Sequence, residues 1–371
     1  MKKGRLEQAL EALQERASKI GSYHALIGFD GFIDTIKTAV KERLGPRDQF
    51  TRFESMTSFG EQISQAAGKS TNIELYTRQK KFGGNGPLLA NALLQAGVNT
   101  RYIGTLGKPD IHILFKTFAT QTQAVSLGEP GQTDAVEFPD GKLLFNSMTG
   151  LDEISYPAII AAMGEGGFLD AVARTDLLAA VNWTMIPHLT VLLSSLLEKV
   201  LPNLPADRPR YFFFDLADPQ KRSGSDLKTI LALLPRFTQH GHVTLGLNRC
   251  EAQQVHAALA PDSAFDADDL KQQAQCLRRH LAITTLFVHA PHGAAAATRN
   301  DVCAITSPSC AKPIVSTGAG DHFNAGFCLA QLLGLDLNDC LGIATAIAGC
   351  YIRTGRSPSL SEVLSCSPNK S

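Results

Sequence analysis

An α/β fold with a mainly parallel sheet covered on both faces is the architecture that this sequence predicts. Three observations carry the prediction. From His24 onward, short apolar runs alternate with segments of helical length, the rhythm of strands buried between two helical layers. Each run is followed by a segment able to form a helix, as parallel connections require. With 371 residues and 44% apolar composition, the chain supplies core for one large domain with a small appendage as readily as for two equal domains.

The main-sheet strands are predicted at 25–29, 101–106, 176–183, 211–216, 243–248 and 285–290. Helices are predicted at 87–96, 190–200, 226–237, 250–259, 268–280, 320–333 and 338–354. Ahead of them, Leu6, Ala9, Leu10, Leu13, Ala17 and Ile20 recur at helical spacing, which makes residues 1–22 an amphipathic helical extension. Docking and fraying are both open for it, and docking is favoured because a one-sided apolar stripe must be covered. Two stretches break the rhythm. AVEFPDGKLLFN sets Asp140-Gly141 between apolar runs, a hairpin signal. Together with the stretch after Phe32, it predicts antiparallel strands standing off the main sheet as a lid, at about 32–60 and 130–147. Asn146 to Asp170 reads as a long loop with one short helix. The body spans 23–358, and 359–371 is a tail.

Thirty-five basic and 35 acidic residues cancel, so no global field draws the chain to nucleic acid or to an anionic membrane. The expected partner is a small molecule. Eight cysteines lie scattered without a CxxC pair or zinc-like spacing, which reads as reduced thiols and a cytosolic setting. No stretch is apolar enough to span a bilayer, and residues 1–19 lack a signal-like core.

The sharpest chemical signal is STGAGDHFNAGF, Ser316 to Phe327. Gly318, Ala319 and Gly320 lead into a helix that opens at or beside Asp321. Small residues let backbone N–H groups approach an anion, and a helix N-terminus adds unpaired donors. A carboxylate beside such a cradle is placed to take the proton of an attacking hydroxyl. The competing reading makes Asp321 an N-cap and the glycines an ordinary turn.

This segment resembles the C-terminal signature of the ribokinase-like (PfkB-type) carbohydrate kinases, in which DTGAGD ends in the catalytic base. The resemblance implies a three-layer α/β/α fold with a small β lid, Asp321 as base and Gly318, Ala319 and Gly320 as anion hole. It also implies ATP with Mg2+ and a sugar or nucleoside acceptor. Ser316 replaces the first Asp of the signature, a position that helps organise a monovalent-cation site in many members, so potassium dependence is open. Phe82 to Gly107 is similar to the N-terminal signature, with Gly83 and Gly84 bringing backbone against the sugar. Asn85 is offered here, and Leu88 stands where the family often has Asn. GFDGFIDTI places Asp34 where the family has an acidic residue at the end of the first strand; Asp30 competes for that role. An ionised carboxylate grips two adjacent hydroxyls well, although Asp also caps turns.

Asn248 and Glu251 in GLNRCEAQQV resemble the family's N-x-x-E motif, which orients magnesium through water; a capping Asn with an early Glu is the alternative. The resemblance further places Thr317, Asn324 and Gly293 at the nucleotide, lets Arg222 approach the phosphates, and puts the base pocket at 288–294 and 343–352. His289 and His292 lack the further ligands a metal needs, and no direct metal ligand is expected. A hydrophobic lid face would support a homodimer. Neither G-x-x-x-x-G-K-[ST] nor a strand leading into G-x-G-x-x-G occurs, which disfavours Walker-type and nicotinamide-dependent enzymes. A nucleoside kinase and a non-catalytic relative that binds nucleotide or sugar remain alternatives; the presence of Asp321, Asn248 and Glu251 argues against the second.

Overall fold

The computed structural model describes residues 4–205, 208–261, 265–308, 310, 313–315 and 317–365. In chain order the strands are β1 (His24–Phe29), β2 (Phe32–Arg43), β3 (Phe50–Arg52), β4 (Leu75–Gly83), β5 (Asn99–Gly104), β6 (Val125–Ser126), β7 (Gly131–Phe138), β8 (Gly141–Ser147), β9 (Leu177–Ala180), β10 (Tyr211–Asp215), β11 (His242–Asn248), β12 (Thr285–Ala290), β13 (Gly293–Ala297) and β14 (Val302–Thr306). The α-helices are α1 (Arg5–Arg16), α2 (Met56–Gln65), α3 (Asn85–Gln95), α4 (Lys116–Gln121), α5 (Tyr156–Met163), α6 (Glu165–Ala173), α7 (Leu189–Ser195), α8 (Gly224–Leu233), α9 (Arg249–Leu259), α10 (Leu270–Leu281), α11 (Ala319–Leu332), α12 (Leu337–Thr354) and α13 (Leu360–Ser365).

Nine strands form the central sheet in the order β14-β13-β12-β11-β10-β9-β1-β5-β6. All neighbours pair in parallel except β12-β13 and β13-β14. The run of phenylalanines in β10 shows why both faces are covered. Phe212 and Phe214 enter one core layer with Leu227 of α8, Val255 of α9 and Leu277 of α10. Phe213 enters the other, with Leu89 of α3, Phe327 of α11 and Ile343 of α12. The chain leaves β1 for β5 on one side and returns through β9 on the other. This reversal opens a crevice at the carboxyl ends of β1 and β9, where open α/β sheets hold ligands.

The N-terminal helix is docked. Ala9, Leu10 and Leu13 are buried, and a Cβ on Gly342 of α12 would come within 2.5 Å of the Ala9 Cβ, so the bare glycine lets the two helices touch. Arg16 donates to the Leu333 and Gly334 carbonyls at the end of α11, where a cation complements the helix dipole.

The lid is a second sheet, ordered β3-β2-β7-β8 with β4 paired to β2. Its hairpin turns at Pro139-Asp140, one residue earlier than predicted, because Phe138 pairs with Gly141. The Asp140 carboxylate accepts from the Met56 N–H at the start of α2. Phe59 of α2 then covers Phe53 and Phe138. Val136 and Phe138 are thus covered within the chain, while Leu144 and Phe145, on opposite faces of β8, stay exposed.

Three sequence expectations are corrected. Residues 146–170 are not mainly loop, since α5 and most of α6 fall within them; the Ser155 hydroxyl caps α5 by accepting from the Ala158 N–H. The tail holds α13, whose Val363 is buried. Residues 293–306 form an antiparallel edge, β13-β14, that was not predicted. No disulfide joins the described cysteines, and no described helix is long and apolar enough to cross a membrane.

Candidate active site

Gly318 is the N-cap of α11 in a left-handed conformation (φ 91°), which glycine adopts without strain. A side chain there would strike the Leu88 Cδ1 and Tyr351 hydroxyl, each at 2.8 Å. Ala319, Gly320 and Asp321 thus make the first helical turn, whose N–H groups have no intrahelical acceptor. Asp321 does not cap them: its Oδ1 accepts from the Asn85 Nδ2 at 2.9 Å. The N-cap reading of Asp321 is excluded by this geometry. Asp321 is buried, and burial pushes its carboxyl well above the usual range, followed by the charges of Asp215 and Asp30; the Asn85 bond opposes them.

Asn85 belongs to a second helix N-terminus facing the first. Asp30, the residue directly after β1, accepts from the Asn85 and Gly86 N–H groups at 2.9 and 2.8 Å and from the Asn182 Nδ2 at 2.6 Å. Desolvation raises it to about 6 despite these bonds. The end-of-strand position therefore belongs to Asp30, not Asp34. Asp34 lies inside the lid strand β2, paired across to Lys81 of β4 and Thr133 of β7. The space over the two glycines is taken by these carboxylates. A Cβ on Gly83 would sit 2.2 Å from the Asp34 Oδ2, and one on Gly84 (φ 100°) 3.0 Å from the Asp30 Oδ2.

Behind Asp321 lies a buried polar pair, Asp215 and Asn324, whose contact the sequence did not announce. Asp215, at the end of β10, accepts from the Asn324 Nδ2 at 2.8 Å. Burial and the neighbouring Glu251 push Asp215 up to about 8. Asn324 is thus engaged with Asp215 rather than with the large cavity beyond. The Asp215 Oδ1, Asn324 Oδ1 and Asn182 Oδ1 are all buried without a hydrogen-bond partner. Among the described residues no three of His, Cys, Asp and Glu stand ready to ligate a metal directly. Unpartnered carboxylate and amide oxygens nevertheless suit magnesium, which takes oxygen donors and keeps several waters.

Asn248 and Glu251 form a complete capping box on α9: Asn248 Oδ1 accepts from the Glu251 N–H at 2.9 Å and Glu251 Oε2 from the Asn248 N–H at 2.8 Å. The Glu251 Oε1 also accepts from the Asp218 N–H. Both residues line a cavity of about 880 Å³, as do His289, Gly320, Thr345 and Gly349. Gly293 does not line it; it opens β13, where a Cβ would meet the Ile305 carbonyl at 2.6 Å. His289 is instead stacked on Phe323 and held near a pKa of about 4 by burial. Arg222 does not approach the cavity. Its guanidinium donates to the Trp183, Ile186 and Pro187 carbonyls and lies 4.5 Å over the Trp183 ring.

Three further side chains fix the loop before α11. His322 bridges the Gly318 carbonyl (Nδ1, 2.7 Å) and the Ser357 hydroxyl (Nε2, 2.8 Å), and stacks on Tyr351. Tyr351 donates to the Thr317 carbonyl at 2.9 Å. The Thr317 hydroxyl accepts from the Lys142 ammonium of lid strand β8. Ser316 lies outside the described residues.

A family profile described as prokaryotic ketohexokinase matches residues 4–368. The ketohexokinase of Haloferax volcanii is 28% identical over 355 residues, covering 95% of this chain and 92% of its own. In fold the chain is similar to Arabidopsis thaliana ribokinase complexed with ribose and ATP, with TM-score 0.63 and 15% identity over 94% of this chain and 99% of that one. It is also similar to the Methanocaldococcus jannaschii nucleoside kinase, with TM-score 0.61 and 16% identity over 92% and 97%. A mainly parallel nine-stranded sheet, a separate small lid and a near-complete profile match lead to one conclusion: this chain is a ribokinase-like carbohydrate kinase of the prokaryotic ketohexokinase family.

Proposed function

We propose that the enzyme transfers the γ-phosphate of ATP to a hydroxyl of a ketohexose, with Asp321 as general base. The observation that carries this reading is the Asp321 carboxylate itself. It is buried at the N-terminus of α11, turned away from the helix amides and held by Asn85. The first-turn donors of Ala319 and Gly320, with Gly318 ahead of them, are left for an anion. In the reaction the acceptor oxygen attacks the γ-phosphorus as its proton passes to Asp321, and the bond to the ADP oxygen breaks. The amides stabilise the charge that develops on the transferred group. Asp34, on the lid, and Asn85 are assigned to the acceptor hydroxyls; Asp30 sets the position of Asn85 through the amide bonds at the start of α3. The nucleotide is assigned to the 880 Å³ cavity, and Asp215, Asn324 and Glu251 are the residues that would hold magnesium, which would neutralise phosphate charge. The ketohexose assignment rests on the Haloferax volcanii relative.

Potassium independence belongs to the same reading. His322 already joins the Gly318 carbonyl to Ser357, so the anion loop is ordered by a side chain. A cytosolic setting belongs to the same reading, on cysteines scattered without a CxxC pair.

The test is an ADP-release assay with ATP and magnesium across ketoses, aldoses, phosphosugars and nucleosides, run in potassium and in choline chloride. A ketohexose is expected to give the highest kcat/KM, with equal rates in both salts. Preference for a nucleoside would move the enzyme to the other acceptor class. Activation by potassium alone would remove the role given to His322.

A further inference from the structure

We infer that Lys142, carried into the cleft by lid strand β8, is the cation that meets the transferring phosphoryl group. The inference rests on the phosphotransfer reading above and adds to it a residue that closes the site. Lys142 stands one residue past the hairpin turn and pairs with Glu137 across β7–β8. Its ammonium crosses from the lid to the Thr317 hydroxyl, and Thr317 immediately precedes the N-cap of α11. The lid thus reaches the mouth of the anion loop through this one side chain.

Register places its companions. Asp34 pairs with Lys81 and with Thr133, so these three share a sheet face. Alternation along β7 and β8 sets Glu137 and Lys142 on that same face. Lys142 makes no ion pair among the described residues; the oxygen it touches is a neutral hydroxyl. Half-burial lowers its pKa, as does Lys81, while Glu137 and Asp34 oppose that change. A cation held on a neutral oxygen beside unpaired helix amides is arranged for an anion that arrives during the reaction.

The surroundings favour such a cation. Asp30, Asp215 and Glu251 crowd the Asp321 carboxyl and each helps raise it, and the nucleotide brings phosphate charge. Arg222 is committed to three carbonyls and the Trp183 ring. Lysine supplies a compact point charge with three donors on a flexible stem, suited to a phosphoryl oxygen that moves between donor and acceptor. A contact of this kind strengthens as charge builds in the transition state, so its loss is expected in kcat rather than in KM.

The experiment compares wild type, Lys142→Met, Lys142→Gln, Lys142→Arg and Asp321→Asn by steady-state kinetics. It also measures calorimetric binding of Mg-ADP with and without aluminium fluoride. Lys142→Met is expected to lower kcat about 100-fold, the order found for one transition-state donor, with both KM values changed less than about threefold. Lys142→Arg should recover about tenfold of that loss, and aluminium fluoride should tighten Mg-ADP binding in wild type but not in Lys142→Met. Lys142→Gln keeps a polar side chain and serves if the methionine variant does not fold. A raised acceptor KM with unchanged kcat would make Lys142 a lid latch only and overturn the inference. So would an arginine variant as slow as the methionine one. Persisting turnover in Asp321→Asn would instead overturn the assigned base and leave the Lys142 comparison standing on its own readouts.

Discussion

Asp321→Asn is expected to lower kcat by about 10³, within the range for loss of a positioned general base, while leaving the protein folded. Asparagine matches aspartate in shape and keeps an oxygen to accept from the Asn85 Nδ2, so the junction between α3 and α11 survives. The variant also removes a charge that burial and three neighbouring carboxylates oppose. Its thermal midpoint should therefore equal or exceed that of wild type, and nucleotide affinity should be little changed. The pair of measurements is kcat from ADP release and the unfolding midpoint. Normal turnover would remove Asp321 from the mechanism; lost turnover with a collapsed midpoint would mean that the carboxylate is a fold determinant.

Asp215→Asn should stabilise the protein, and more so as the pH rises. A carboxyl raised to about 8 in the native state and titrating near about 3.9 when unfolded is bound more tightly to its proton in the fold. Between those values the unfolded chain releases a proton that the native protein keeps, so native stability falls with rising pH. Asp30, raised to about 6, adds a smaller loss over the lower part of the same window. Removing the Asp215 charge should give a gain of roughly 1–2 kcal/mol at pH 5 and roughly 5 kcal/mol at pH 8. Activity should drop in the same variant, with a higher magnesium requirement, because one carboxylate oxygen is gone from the group proposed to hold the cation. Such a trade is common where function needs an unfavourable buried charge. Thermal unfolding at pH 5 and pH 8 checks it; a variant less stable than wild type at pH 8 would show that the Asp215 charge is already compensated.

What the sequence made legible follows from how each feature is encoded. All six predicted main-sheet strands are present because fully buried parallel strands announce themselves as apolar runs, YFFFD of β10 above all. By contrast β4 reads LYTRQKKFG, mostly exposed and charged, so its strand character comes from pairing with β2 and not from its own composition. The GAAAA of β13 was missed for a related reason: alanine is a weak strand former, and its burial comes from sitting between β12 and β14. The loop that opens α11 and the Asn248–Glu251 pair were legible as local motifs, where neighbours in sequence are neighbours in space. Lys142 and Thr317, Asp215 and Asn324, and Asn85 and Asp321 each join distant parts of the chain. No window of sequence displays such pairs. Asp30 and Asp34 competed for one role because only three residues separate them and only the place where β1 ends tells them apart.

The seat of α1 on α12 sets the order in which this chain can finish folding. α12 presents Thr345, Ala346 and Gly349 to the 880 Å³ cavity and Gly342 to Ala9 of α1. During synthesis α1 emerges long before α12 exists, so Ala9, Leu10 and Leu13 stay uncovered while nearly all the rest of the enzyme is made. The cavity wall and the cover for α1 are completed in one late event, and a ribosome-bound fragment ending before α12 would expose an apolar helix without a finished nucleotide site. Such a nascent chain has the character of a chaperone client until its last long helix closes.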